Sequence, residues 1–160
     1  MSEPTQVLIV CSGNTCRSPL FSAMLASRLA GEPRLAGITV TSAGTSASTG
    51  APASEGSLLV ALERNLDLTA HRARRLTADG AGAAALILTM SDAHTRRVQQ
   101  LGSGAKVFSL HEFVGDGPGD VPDPFGGSIA TYRTTADLFE RLLDRVVGRL
   151  LARTNSELTS

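Results

Sequence analysis

The stretch "VLIVCSGNTCRSP", residues 7–19, constrains the fold more than any other part of the chain. Four apolar residues end at Cys11. After Pro19 apolar side chains return at helical spacing, as Leu20, Met24, Leu25 and Leu29. An uninterrupted, β-branched strand is expected to be buried on both faces, as in parallel sheets. A short loop into a helix then begins a strand–helix–strand unit.

The rest of the chain repeats that alternation. Strands are expected at 6–10, 38–42, 84–90 and 105–110. Helices are expected from Ser18 to Gly31, over 55–65, over 92–102, and from Ser128 to about 152. Ser18 is read as the N-cap of the first helix, with Pro19 at its first position. Two long loops, 43–54 and 111–127, are rich in Gly, Pro, Ser and Asp. Loops of that size in a compact domain are often functional. With no internal repeat, residues 1–160 are read as one domain, an open parallel α/β sheet wrapped on both faces. Ligands of such sheets sit at the carboxyl ends of the strands, where Cys11 lies.

Composition removes several function classes. Fifteen Lys and Arg cancel fifteen Asp and Glu, so nothing favours nucleic acid or a membrane surface as partner. Apolar runs such as "VLIV" and "AAALIL" are too short to span a bilayer. The start "MSEPTQ" lacks the pattern of a secretory leader, so the expected location is the cytoplasm, where a structural disulfide is unexpected. Cys11, Cys16, His71, His94 and His111 show no metal-ligand spacing, so neither metal nor other cofactor is expected.

The loop itself carries chemistry. Gly13 and Asn14 tolerate backbone angles that let successive N–H groups turn inward as an anion nest. The next helix points its positive end at the same place, and Arg17 adds a planar, permanently charged fork. Residues Ser12, Gly13, Asn14, Thr15, Cys16, Arg17 and Ser18 thus outline a cup for a tetrahedral oxyanion. Its field stabilises a thiolate on Cys11, to which Ser18 can donate a hydrogen bond. A nucleophile at the base of a phosphate cup suits a phosphoryl-cysteine intermediate. The bland reading, a buried cysteine before an ordinary turn, explains neither the strand before the loop nor the Ser-Pro after it. No Gly-Lys-Ser/Thr follows, so this is not a Walker loop, and "GAGAAA" at 80–85 precedes a strand where a dinucleotide fingerprint would follow one. Hydrolysis also needs an acid. Asp123, between Pro122 and Pro124, offers an aimed carboxylate, though a plain Asp-Pro turn reads equally well.

"VCSGNTCRSP" resembles the signature of low-molecular-weight protein tyrosine phosphatases, and the "DPF" at 123–125 resembles their acid loop. "TSAGTSA", "LTAHRARRL" and "LILTM" extend the likeness over nearly the whole chain. The resemblance implies a single three-layer domain with a four-stranded parallel sheet in the order 2-1-3-4. It implies Cys11 as nucleophile, Arg17 as phosphate clamp and Asp123 as general acid. Ser18 would stabilise the sulfur anion, and Asn14, Ser42 and His71 would hold the loop in shape.

The segment "KVFSLHEFVGDGPGDVPDPFGGSIATYRTT", 106–135, is most similar to the bacterial protein-arginine phosphatases of this family, as is "CSGNTCRS" with Thr15 in place of a bulkier aliphatic residue. Thr15 and Phe125 are the expected specificity residues. The family often has Asp directly after the Met of the central strand; here Met90 is followed by Ser91, then Asp92.

The expected partners are phosphorylated proteins, with phosphoarginine favoured over phosphotyrosine, and phosphate, vanadate or tungstate as ligands of the loop. An arsenate reductase of this fold needs a relay of further cysteines that the chain lacks. A non-enzymatic phosphate-binding module has no use for a nucleophile and an acid. Cys16 has two open readings: packing beneath the loop, or capture of an oxidised Cys11 as a reversible disulfide. No oligomeric state follows from the sequence.

Overall fold

The computed structural model describes residues 5–102 and 105–159, with side chains to residue 153. Met1–Pro4, on which the reading of a missing leader partly rests, lie outside the described residues.

Four parallel strands, β1 (Thr5–Cys11), β2 (Ile38–Gly44), β3 (Leu86–Thr89) and β4 (Lys106–Ser109), form one sheet in the order β2-β1-β3-β4. This is the expected order. Strand β1 is central because Val7, Leu8, Ile9 and Val10 are apolar on both sides, and all four are at most 3% exposed. Val7, Ile9 and Cys11 face the larger core, which contains residues of α1 (Arg17–Ala30), α2 (Glu55–Glu63), α5 (Leu110–Phe113) and α6 (Ile129–Thr159). Phe21 of α1 and Phe139 of α6 meet edge to face there, ring centres 5.0 Å apart. Leu8 and Val10 face a smaller core with Ala81 of α3 (Ala78–Ala83) and Val98 of α4 (Asp92–Gln100). Helices therefore cover both faces, as the apolar strands require.

The structure corrects several expectations. Cys16, not Ser18, is the N-cap residue of α1, and it makes no side-chain cap bond. The Ser18 hydroxyl turns inward to the active loop instead. Pro19 remains within the first turn, where no N–H is needed. Of the loop expected at 111–127, the first residues form α5: Ser109 and Glu112 make a reciprocal capping box, a Ser-x-x-Glu signal present in the sequence. Helix α3 covers most of the "GAGAAA" segment, capped by Thr77. A 3₁₀ turn at Pro33–Leu35 was also unforeseen. Strand β3 is shorter than 84–90, and α6 runs to Thr159 rather than 152. Its cap is the expected one, with Thr131 N donating to Ser128 Oγ at 3.4 Å.

Candidate active site

The carboxyl ends of β1, β2 and β3 converge on the loop from Cys11 to Ser18. The carbonyls of Cys11, Ser12, Asn14, Thr15 and Cys16 point away from its centre, each to a donor outside it. Thr45 N donates to Cys11 O and Ser46 N to Ser12 O, both at 2.9 Å; Ser54 N donates to Thr15 O at 2.8 Å. The Asn14 carbonyl accepts from His71 Nε2 at 2.7 Å, and the Cys16 carbonyl from Ser57 Oγ at 3.0 Å. In a trans peptide the N–H of the next residue points opposite to the carbonyl. The amides of Ser12, Gly13, Thr15, Cys16 and Arg17 therefore face the inside. Asn14 N closes the ring by donating to Cys11 Sγ at 3.3 Å. This is an anion nest with a sulfur at its base.

Asn14 keeps that shape. Its φ is +56°, and it is wholly buried. Asn is one of the few side chains that tolerate the left-handed region, helped here by its own hydrogen bonds. Its Nδ2 donates to Ser18 Oγ (2.7 Å) and Ser42 Oγ (2.9 Å), and its Oδ1 accepts from Arg74 N (2.8 Å). Because Ser18 Oγ accepts from Asn14, its own hydrogen is free for Cys11 Sγ, 3.0 Å away. The structure thus brings Asn14, Ser18, Ser42 and His71 together at the loop. Gly13 does not need the backbone freedom read for it: its φ is not positive, and an added Cβ would meet only Thr15 Oγ1 at an ordinary 3.5 Å. Beside the loop, Gly44 is the glycine whose replacement would drive a Cβ into backbone, 2.4 Å from the Ser12 carbonyl. The "TSAGTSA" motif carries that requirement at the end of β2.

Arg17 is 6% exposed. Its NH1 donates to the Val121 carbonyl at 2.9 Å, and its NH2 lies 3.7 Å from Asp123 Oδ2. Its Nε is buried and has no protein acceptor among the described residues, so an oxyanion in the nest is its natural partner. Val121 N in turn donates to Met90 O at 2.8 Å, which moors the acid loop to the end of β3. Asp123 serves both sequence readings. Its Oδ1 accepts from Phe125 N at 3.1 Å in a local turn, while Oδ2 faces Arg17, and the side chain is 51% exposed. A cavity of about 250 Å³ joins Cys11, Ser12, Thr15, Cys16, Arg17 and Asp123 with Phe125. Thr15 is half-buried in its wall. Phe125, expected as a specificity residue, also lines the cavity, but at 73% exposure it stands at the lip rather than deep in the wall.

His94 belongs to the site, and the sequence reading passed over it. Its Nε2 lies 2.8 Å from Ser12 Oγ and its Nδ1 2.8 Å from Ser91 Oγ. Burial, then the nearby Arg17 charge, lowers its pKa to about 4, against the partial opposition of Asp120 and Asp123. A neutral imidazole thus braces the loop from the β3 side. The available signal was position: Ser91 and His94 directly follow the carboxyl end of β3. Asp92, the acid displaced by one residue from the family's usual place, does not line the cup; its N–H donates to Asp120 Oδ1 at 3.1 Å. Cys16 is 5% exposed, with its sulfur 3.2 Å from Ser54 Oγ and 3.5 Å from Tyr132 OH. Both cysteines are free thiols. Among the described residues no cluster of His, Cys, Asp or Glu could hold a metal, and no helix is long and apolar enough to cross a membrane.

Comparison with known proteins gives one consistent result. Residues 6–157 match the family model described as low molecular weight phosphotyrosine protein phosphatase. The chain is 37% identical over 149 residues to a protein-arginine-phosphatase of Geobacillus stearothermophilus, covering 92% of this chain and 97% of that one. It is 38% identical over 156 residues to the low molecular weight protein-tyrosine-phosphatase PtpB of Staphylococcus haemolyticus, covering 94% and 99%. Among solved structures, a cysteine-to-serine variant of the YwlE arginine phosphatase, with a phosphorylated active-site serine, superimposes with a TM-score of 0.85. It is 36% identical, with 91% of this chain and 95% of that one covered. The nest, the sulfur at its base and these likenesses agree: the chain belongs to the low molecular weight phosphotyrosine protein phosphatase family, the cysteine-based phosphatases.

Proposed function

We propose that this chain removes phosphoryl groups from phosphoarginine in proteins through a phosphoryl-cysteine intermediate. The observation that carries the reading is the closed ring of inward amides around Cys11 Sγ, with the unpartnered Nε of Arg17 beside it. The nest and Arg17 hold the three phosphoryl oxygens and take up the charge that develops on them. Cys11 Sγ attacks phosphorus as a thiolate. The S–P bond forms while the P–N bond to the guanidine breaks, and protonated Asp123 gives its proton to the departing nitrogen. Asp123, now a carboxylate, takes a proton from water, whose oxygen attacks phosphorus. The S–P bond breaks, inorganic phosphate leaves, and the thiolate returns.

The proposed substrate preference rests on Thr15, which lines the cup together with the small polar Ser46. A small hydroxyl leaves room and a hydrogen-bonding group for a guanidinium, where an aliphatic side chain would collide with it. Phosphotyrosine is the second reading, favoured by the exposed Phe125 ring at the lip, which a phenyl group can stack on. Phosphoarginine and phosphotyrosine peptides of otherwise identical sequence, assayed side by side, test the choice. The proposal expects the higher kcat/KM for phosphoarginine, and the reverse order replaces it with the tyrosine reading.

A cytoplasmic location agrees with a site built on free thiols. We propose further that Cys16, in the same tight loop, captures an oxidised Cys11 as a reversible disulfide. Peroxide followed by a thiol should restore wild-type activity but not that of Cys16→Ser; equal recovery would leave Cys16 a packing residue under Ser54 and Tyr132.

A further inference from the structure

Among the described residues the exposed large apolar side chains are Leu59, Leu62 and Phe125, at 46%, 69% and 73% exposure. Leu59 and Leu62 stand one turn apart on α2. Between α2 and the acid loop runs a groove of about 320 Å³, lined by Leu59, Ile129, Tyr132, Gly126, Gly127 and Glu55. Tyr132 is its floor. Gly56 lets α2 approach that ring closely, since an added Cβ would come within 2.4 Å of it.

The groove adjoins the catalytic cup at two points, although the two share no lining residue. Phe125 of the cup is followed by Gly126 of the groove. Tyr132 reaches under the divide, its hydroxyl 3.5 Å from the sulfur of Cys16 in the cup wall. Charged side chains beyond the groove are paired with one another: Arg133 with Glu63, and Arg64 with Asp137 and Glu140. Leu59, Ile129 and Tyr132 thus form an apolar patch in a groove that also carries the exposed Glu55, with the charges beyond it paired, a pattern suited to contact with another polypeptide.

A phosphorylated side chain in the cup is attached to a polypeptide that must leave over the lip. On the other side the lip is Ser46 and the polar residues after it. We propose that the substrate polypeptide leaves over Phe125 into this groove, seating an apolar side chain near the phosphorylated residue against Leu59, Ile129 and Tyr132. This rests on the phosphatase reading above and adds to it a preference for apolar flanks.

The test uses two synthetic peptides, each phosphorylated at one arginine, one flanked by leucines and one by glycine and serine. They are assayed with wild type and with the Leu59→Ser/Leu62→Ser variant, and p-nitrophenyl phosphate serves as the small substrate. The expected result is a fall of roughly tenfold or more in kcat/KM for the leucine-flanked peptide, the weight of a lost apolar pocket contact. The glycine-serine peptide and p-nitrophenyl phosphate should stay within twofold. A leucine-flank advantage that is absent in wild type, or unchanged in the variant, overturns the proposal. So does a concentration-dependent dimer in sedimentation that the variant abolishes, because a second copy then owns the groove. Failure of the phosphatase reading is separately visible, as no turnover of any of the three substrates.

Discussion

The two loops that meet at the cup are built in opposite ways. From Cys11 to Ser18 the backbone is tied from outside at nearly every carbonyl, Asn14 and Ser18 are wholly buried, and the bonds come from β2, α2 and the segment around His71. The acid loop is held at one end, through Val121 N to Met90 O and Arg17 to Val121 O. Beyond that point Asp123 relies on a bond within its own turn and a 3.7 Å approach to Arg17, with half its side chain in water. On the proposed mechanism the tied loop meets the part of the substrate that never varies, the phosphoryl group, and the exposed loop meets the part that does, the leaving group. Phosphate affinity and leaving-group choice should therefore separate under mutation.

The sharpest separation is expected at the exposed loop. Asp123→Ala should slow poor leaving groups by roughly 10²–10⁴-fold, the usual weight of a general acid. Activated aryl esters should suffer far less, and vanadate affinity should be nearly unchanged, because the nest keeps its amides. Steady-state rates over a series of aryl phosphates, with vanadate inhibition constants, check this. Equal losses across the series would place the acid elsewhere.

The next effect belongs to the tied loop and is read as stability. His94 has a pKa of about 4 in the folded protein and an ordinary value near 6.5 when unfolded. The unfolded chain thus binds this proton first as pH falls. The stability that depends on a neutral His94 is complete above about pH 6.5 and is lost progressively down to about pH 4. The shift corresponds to about 3 kcal/mol. Denaturant titrations at pH 7 and pH 4 should show that loss in wild type and a clearly smaller one in His94→Gln, which carries no titrating ring. A loss of the same size in both would remove His94 from the bracing of Ser12.

The smallest effect joins the two loops. Thr15→Ile places apolar bulk in the cup wall opposite Phe125 without touching Asn14 or Arg17. One such change in a pocket is worth about 1–3 kcal/mol, or roughly 10–200-fold. The ratio of phosphoarginine to phosphotyrosine kcat/KM should fall or reverse by that order, while small aryl phosphates change little. An unmoved ratio would assign selection to the exposed loop alone.

How much of this could be read from the chain follows from how each residue does its work. Cys11, Asn14, Arg17 and Ser18 act within eight residues between a strand and a helix, so local pattern exposes them. The alternation of apolar strands and helical faces likewise carries the layers of the fold, but the strand order came from family likeness. Of the two readings of Ser18, helix cap and donor to the Cys11 sulfur, the structure keeps the second; a Ser-Pro before a helix looks the same in either case. His71 became visible only through family likeness. His94 stayed hidden because its partner, Ser12, is 82 positions away and no local motif joins them. The exposed setting of Phe125 was equally out of reach, since composition names a ring without saying whether it walls a pocket or stands at its lip. The capping box at Ser109 and Glu112 was a plain oversight of a legible signal.

The central claim is that the ring of amides exists to support a covalent step at Cys11. On the proposed mechanism Asp123→Ala should slow release of the intermediate as well as its formation, because the carboxylate that activates water is gone. Rapid acid quench of that variant with an activated aryl phosphate, followed by mass spectrometry of its peptides, measures the claim directly. The account predicts one phosphoryl group on the peptide containing Cys11, attached to that sulfur, absent when Cys11→Ser is added, and forming no slower than product appears. Turnover with no covalent phosphoryl at any time, or a phosphoryl group on another residue, would contradict it.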